Sequence, residues 1–247
     1  MFKKAQVTTF VIIGIVILAV LGLFLYARST GLGVSPERFI SSKKTAIESR
    51  IDECSREQAA RVLEIIGKQG GTLTPLKALQ FNGNRVSYLC YNIPGSDNCV
   101  NRVLTLRDIE NQVSSYLENN LRNCINLDSF RSSSYSLQPG NLEVSTTIGQ
   151  NNVLVIVDYP ITLSRDDARL TVSRFSSTVS IPLGRLYLAA IDIIDSEAQV
   201  GEFDPLPYML VHNLIRIEKQ RPFPDKVYIM NVRTSPYIFQ FAIEGEP

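Results

Sequence analysis

Few residues in this chain have the type and spacing to do chemistry. There is one histidine, His212, and no tryptophan. A metal site built from several histidines of one chain is therefore excluded, leaving cysteine and carboxylate ligands. His212 has no nucleophile beside it in sequence and reads as structural or solvated. Asp192, Asp195 and Glu197 lie close together, and a spacing of three puts the two aspartates on one helical face. Paired carboxylates can hold a cation or move protons; a solvated helix face is the plainer reading. Gly67-Lys68-Gln69-Gly70-Gly71 has the glycines of a phosphate loop but not the G-x-x-x-x-G-K-[ST] order. It also follows a helical pattern rather than a strand, so it reads as a helix C-cap. The absence of G-x-S-x-G removes one serine-hydrolase signature and leaves others open. Arg216 to Arg221 mixes acid with base and makes no nucleic-acid patch. No catalytic, metal-ligating or cofactor-binding residue is assigned, and the chain reads as a protein without enzymatic activity or cofactor.

The four cysteines, Cys54, Cys90, Cys99 and Cys124, carry the clearest chemistry. No C-x-x-C occurs, so zinc and thioredoxin-like readings lack their spacing. Either all four are buried free thiols or they form two disulfides, for which three pairings exist. Cys54 falls on an apolar helical stripe with Ile40, Ile47, Ile51 and Val62. Cys124 falls on another with Ile109, Val113, Leu117 and Leu121. Packing these stripes together favours Cys54–Cys124. Cys90 and Cys99 flank a Pro-Gly-Ser-Asp loop and favour a second, local bridge. Loop entropy puts the two at about 4 and about 2–3 kcal/mol. Disulfides imply an oxidising compartment.

The elements that position these residues follow from turn and cap signals. Ser35-Pro36-Glu37 reads as a helix start, and the helix runs 36–68 before Gly70-Gly71, about 50 Å. Leu79 to Tyr91 reads as a hairpin around Asn82-Gly83-Asn84. Thr105-Leu-Arg-Asp108 matches a capping box and opens a helix to Ile125. The serine-rich stretch 129–136 reads as a loop. Strands are predicted at Leu142–Ile148, Val153–Leu163 and Leu170–Ile181, with turns at Asn151-Asn152 and Asp166-Asp167. The doubly apolar run 153–157 predicts a central, covered strand. Leu183 to Val200 reads as a third helix ended by Gly201, and Asp204 to Pro207 as a proline-broken connection. Val227–Val232 and Tyr237–Ile243 read as a last hairpin. The predicted fold class is α+β: an N-terminal transmembrane helix, a long amphipathic stalk helix, and one curved antiparallel sheet with helices packed on one face.

The strongest signal is the beginning of the chain. Ala5 to Ala27 is 23 residues without a charge, and 14 of the 21 positions from Val7 to Ala27 are Val, Ile, Leu or Phe. About 20 such residues cross a hydrocarbon core. The run is too long for a cleaved secretory signal, and Leu25-Tyr26-Ala27 makes a poor cleavage site. The lipid bilayer is thus the expected partner of residues 7–27. No comparable run follows, which predicts a single pass. Lys3 and Lys4 favour a cytoplasmic N-terminus; Arg28, Arg38, Lys43 and Lys44 argue the other way. Without Lys3 and Lys4, 23 bases face 24 acids, a balance that does not oppose export. The predicted organisation is an anchor (1–28), a flexible linker (29–35) and an extracytoplasmic domain (36–247). That domain divides into a stalk helix (36–68), a hairpin plus helix (69–125) and a β-rich part with one helix (126–247).

Lys3-Lys4-Ala5-Gln6-Val7-Thr8-Thr9-Phe10, followed by the apolar helix, resembles the class III signal peptide of archaeal type IV pilins and pilin-like proteins. In that family a membrane peptidase cuts after a basic-basic-small triplet and before a Gln, which implies a cut between Ala5 and Gln6. The apolar helix would remain as the anchor. The pilin pattern places a Glu five residues after the cut, where this chain has Phe10. Gly31, Gly33 and Pro36 also interrupt a helix that pilins usually continue into the head. Cys54 to Gly71 and the segment around Pro182-Leu183-Gly184-Arg185 are similar to uncharacterised single-span surface proteins of small-genome archaea.

Three functions compete at this point. The first is a non-enzymatic, membrane-anchored, pilin-like surface protein that displays a disulfide-stapled domain, for structure, self-assembly or a protein partner. The second is a membrane-tethered ligand-binding or assembly-chaperone module, which requires a concave apolar pocket with convergent polar groups. The third is a tethered hydrolase. No nucleic-acid partner is expected, since 25 basic residues meet 24 acidic ones.

Overall fold

The computed structural model describes the backbone of residues 3–29, 36–92 and 99–245, and the side chains of 11–26, 38–92 and 99–245. The proposed linker 29–35, the helix cap at Ser35 and the Pro-Gly-Ser-Asp loop fall outside those residues, wholly or nearly so. The side chains of Ala5 and Gln6 do as well.

The first helix, α1 (Lys3–Ser29), is apolar around its whole circumference over residues 11–26. Its described side chains are exposed at every position but Gly14. That stretch, 11–26, is about 24 Å long, short of a hydrocarbon core of about 30 Å. Among the described residues, no helix is long and apolar enough to cross a membrane.

Helix α2 (Pro36–Lys68) ends where Gly70 and Gly71 take positive φ, at 75° and 89°. The glycine-rich segment is therefore a helix stop, as its order implied. The helix does not stand clear as a stalk. Ile40, Ile47, Ile51, Cys54, Val62, Leu63 and Ile66 are all buried, so α2 belongs to the core from its second turn onward. The physical reason is its apolar stripe, which recurs along the helix and must be covered along its length. Next come β1 (Ala78–Phe81), β2 (Asn84–Tyr91) and the short β3 (Val100–Asn101). Helix α3 (Leu106–Ile125) opens on the expected capping box, in which Thr105 accepts from the Asp108 N–H and Asp108 from the Thr105 N–H. It buries Ile109, Val113, Leu117 and Leu121.

The strands β4 (Ser136–Pro139), β5 (Glu143–Ile148), β6 (Val153–Arg165) and β7 (Ala168–Val179) form an antiparallel sheet. β7 pairs along the length of β6, so β5 and β4 share the other edge of β6. β6 is thus central, as its apolar run predicts. Asp166 sits in the β6–β7 turn with φ 52°. Helix α4 (Leu183–Val200) ends at Gly201, which is left-handed at φ 78°. The chain finishes with α5 (Pro205–Val211), β8 (Ile215–Gln220), β9 (Lys226–Val232) and β10 (Ile238–Ile243).

The fold is α+β, with five helices and two sheets among the described residues. The expectation of one antiparallel sheet fails. The second sheet runs β1-β2-β10-β9-β8, with β3 on β2, and is mixed: β10 lies parallel to β2, with Ala242 against Tyr88. Strand periodicity shows which residues face inward but not which distant strand is the neighbour, and this pair joins opposite ends of the domain. Nor do the helices form one layer. α2 serves both sheets: Ser177 of β7 donates to Asp52, while Tyr237 donates to the Leu63 carbonyl and Gln240 of β10 to that of Lys68. One large core results, with a small separate cluster of Val86, Val227 and Ala242 in the mixed sheet.

Five elements escape the sequence reading, two of them only a short strand, β3, and one 3-10 turn at Leu127–Phe130. The region after residue 126 holds two α-helices rather than one, because Asp204 caps α5 and a proline in the first turn needs no N–H. β8 was hidden by its charges, although Ile215 and Ile217 alternate inward. β4 begins at the end of the serine-rich segment.

Candidate functional site

The cysteines form the two expected bridges, Cys54–Cys124 and Cys90–Cys99, with Cα separations of 5.8 and 5.2 Å. The first joins α2 to α3 along the two apolar stripes. Arg50 reinforces that junction by donating to the Cys124 carbonyl at 2.8 Å. The second ties the end of β2 to the start of β3. Two disulfides point to a domain that folds in an oxidising compartment.

The carboxylates of α4 part company. Asp192 accepts from the Tyr208 hydroxyl at 2.8 Å, and Asp195 from the Asn101 amide at 3.4 Å. They are not drawn into one cation site. Burial first, and then the Asp192 carboxylate, push the Tyr208 hydroxyl upward. His212 stacks on Tyr208 with ring centres 4.3 Å apart. Among the described residues, no cluster of three His, Cys, Asp or Glu side chains is placed to hold a metal.

Glu197 is the surprise. It is 3% exposed and accepts from Lys226 at 2.6 Å, Lys219 at 3.4 Å and the Tyr228 hydroxyl. Lys219 also reaches Glu202 and the Phe203 carbonyl, and Lys226 the Gly201 carbonyl at 2.6 Å. Burial and then the Glu197 carboxylate drive the Tyr228 hydroxyl far above the ordinary tyrosine range. Burial alone would raise the Glu202 carboxyl, but its hydrogen bonds from Lys219 and Lys226 hold it low. Each ammonium meets three or more acceptors, so the cluster is closed to substrate. It pins the carbonyl end of α4, where cations are favoured, to β8 and β9. One sequence signal pointed here: Lys219 shares the inward parity of Ile215 and Ile217.

A groove of about 670 Å³ opens beside the second disulfide. The loop before β1, strand β2, the residues after β3 and one turn of α3 line it. Lys77, Tyr88, Tyr91 and Arg102 give its polar side, and Leu76, Leu89, Val103 and Leu104 its apolar side. Lys77 lies 5.4 Å from the ring centre of Tyr88 and 5.0 Å from that of Tyr91. Arg102 lies 5.4 Å from the Tyr91 ring. Such contacts hold a cation in place while leaving its donors available. Lys77 is neutralised by Glu244 at 2.6 Å. Burial would raise the Glu244 carboxyl, but Lys77 and the Asn92 N–H outweigh it and keep it ionised. Tyr88 donates to Asp225 at 2.7 Å, and burial followed by that carboxylate raises its hydroxyl well above normal. None of the groove residues stood out in the sequence. The loop, β2 and the segment after β3 converge only through sheet pairing and the Cys90–Cys99 bridge.

The chain matches no family model, no curated protein and no solved structure. The fold and the groove define a disulfide-stapled α+β domain with a concave, partly apolar groove.

Proposed function

We propose that this protein is a non-enzymatic, single-pass membrane protein that displays its α+β domain outside the cytoplasm to bind a partner. One observation carries the reading: an exposed helical stretch without a polar residue, 11–26, precedes a domain with two disulfides. At about 25 cal/mol per Å², apolar side chains such as Leu18, Leu23 and Phe24, each more than 60% exposed, strongly favour leaving water. Lipid is the cover that fits a helix with no polar face. With its flanking residues the uncharged run reaches 23 residues, long enough to span. The disulfides set the domain on the oxidising side, and Lys3 and Lys4 then lie in the cytoplasm. The pilin-like start supports removal of residues 1–5 between Ala5 and Gln6. Phe10, where pilins carry a Glu, argues for anchoring rather than filament packing.

The groove favours ligand or partner capture as the specific role of the displayed domain, since it combines apolar walls with a few convergent polar groups.

The test uses the untagged chain in its native membrane. The protein stays with the membrane through alkaline carbonate washing and enters solution with detergent. Its cysteines resist alkylation until reduced, and a non-reducing peptide map links Cys54 to Cys124. Recovery in the wash with four alkylatable thiols refutes the proposal. Mass spectrometry of the N-terminus checks processing separately: Gln6 as the first residue agrees with it, and Met1 excludes it.

A further inference from the structure

We propose that the groove beside the Cys90–Cys99 bridge binds a small organic carboxylate with an apolar body, the anion facing Arg102 and Lys77. This inference rests on the ligand-binding role given above. The first observation is a charge imbalance. Among the described residues, two cations line the groove and no Asp or Glu does. Lys77 has Glu244 as its partner, whereas Arg102 makes no ion pair among the described residues. Both cations lie within 5.4 Å of the centre of the same ring, Tyr91, so they cannot be more than about 11 Å apart. With Lys77 offset by Glu244, the pair and Arg102 together leave a net positive charge, which an anion at Arg102 offsets. The guanidinium presents paired donors that match a carboxylate.

The second observation is the wall. Leu89, Val103 and Leu104 supply apolar surface next to the cations. Leu76 at the mouth is fully exposed. A volume of about 670 Å³ suits a small molecule rather than a folded partner. A sugar, which would stack on a free aromatic face, fits less well, because Tyr91 carries two cations. A bare inorganic anion would leave the apolar wall uncovered.

Titration calorimetry on the full chain in zwitterionic detergent tests this with three probes: 3-phenylpropionate, its neutral amide, and inorganic phosphate. The carboxylate binds, while the amide and phosphate bind at least tenfold more weakly. The amide also controls for partition into micelles. Arg102→Gln weakens carboxylate binding at least tenfold, and raising the salt weakens it further. Leu76→Glu, at a fully exposed site, weakens it as well by placing a competing carboxylate at the mouth. Each variant is accepted only if its disulfides and unfolding temperature match the parent. Equal binding of amide and carboxylate, phosphate binding as tight as the carboxylate, indifference to both substitutions, or no binding each overturns the proposal. Thiol accessibility in the same sample separates the two readings. Intact disulfides without carboxylate binding sink the ligand alone; free thiols sink the displayed domain whatever the calorimetry gives.

Discussion

Replacing Glu197 by Gln tests whether the buried ionic cluster holds the domain together. The Glu197 side chain is 1% exposed, and Lys219 and Lys226 are 8% and 16% exposed. Removing one partner from a buried pair leaves uncompensated charge and destabilises by about 3–5 kcal/mol. Two features of this site pull toward the lower end. The glutamine oxygen still accepts one hydrogen bond, and both lysines keep Glu202 and a backbone carbonyl. The expected loss is therefore about 3 kcal/mol. For a domain of this size each kcal/mol moves the midpoint by about 2–4 °C, so the unfolding temperature falls by about 6–12 °C. Glu202→Gln is the internal control. Its side chain is half exposed, and exposed pairs contribute about 0–1 kcal/mol. Thermal denaturation followed by circular dichroism, with disulfides intact, reads both variants. If the two substitutions destabilise equally, or Glu197→Gln shifts the midpoint by less than 2 °C, the cluster is not the clamp described.

Stability should form a plateau with two edges. On the acid side, Glu202, Glu244 and Asp52 sit below their ordinary values when folded, so their contribution is present above about pH 4–5 and is lost as pH falls further. On the alkaline side, burial raises Tyr237, and burial with Glu197 raises Tyr228, so the unfolded chain ionises first and stability declines above about pH 10. Urea midpoints from pH 3 to 11 check both edges; a steady slope between 5 and 9 contradicts the assignment. Ser55→Ala should be neutral or stabilising, because the Ser55 hydroxyl is buried without a partner among the described residues, and a loss above about 1 kcal/mol in urea would reveal a hydrogen bond there. Gly67→Ala should cost about 1–3 kcal/mol by crowding. A methyl at that site would clash with the Ile238 carbonyl and lie 2.7 Å from the Tyr237 hydroxyl. An unchanged urea midpoint would show that β10 moves aside freely.

Local chemistry made much of the fold legible. The extents of α2, α3 and α4 follow from an apolar period of 3.6 bounded by Pro36, Thr105 with Asp108, and the glycines at 70 and 201. Both disulfides were readable for the same reason: Cys54 and Cys124 lie on stripes that have to be buried, and Cys90 and Cys99 flank a short loop. Each of these depends on neighbours within a few residues. The parallel pairing of β2 with β10 depends on no such neighbourhood. Neither do the inward lysines around Glu197, whose acceptors come from α4 and the loop that follows it. The groove is the extreme case, because Lys77, Tyr91 and Arg102 are ordinary surface residues until β3 pairs with β2. The sequence alone determined most of the segments that are helix or strand and which of their faces are apolar, and it favoured the pairing of sulfurs that the structure shows. The tertiary structure alone decided which faces and charges share a space, since periodicity encodes a direction for each side chain and never names its distant partner.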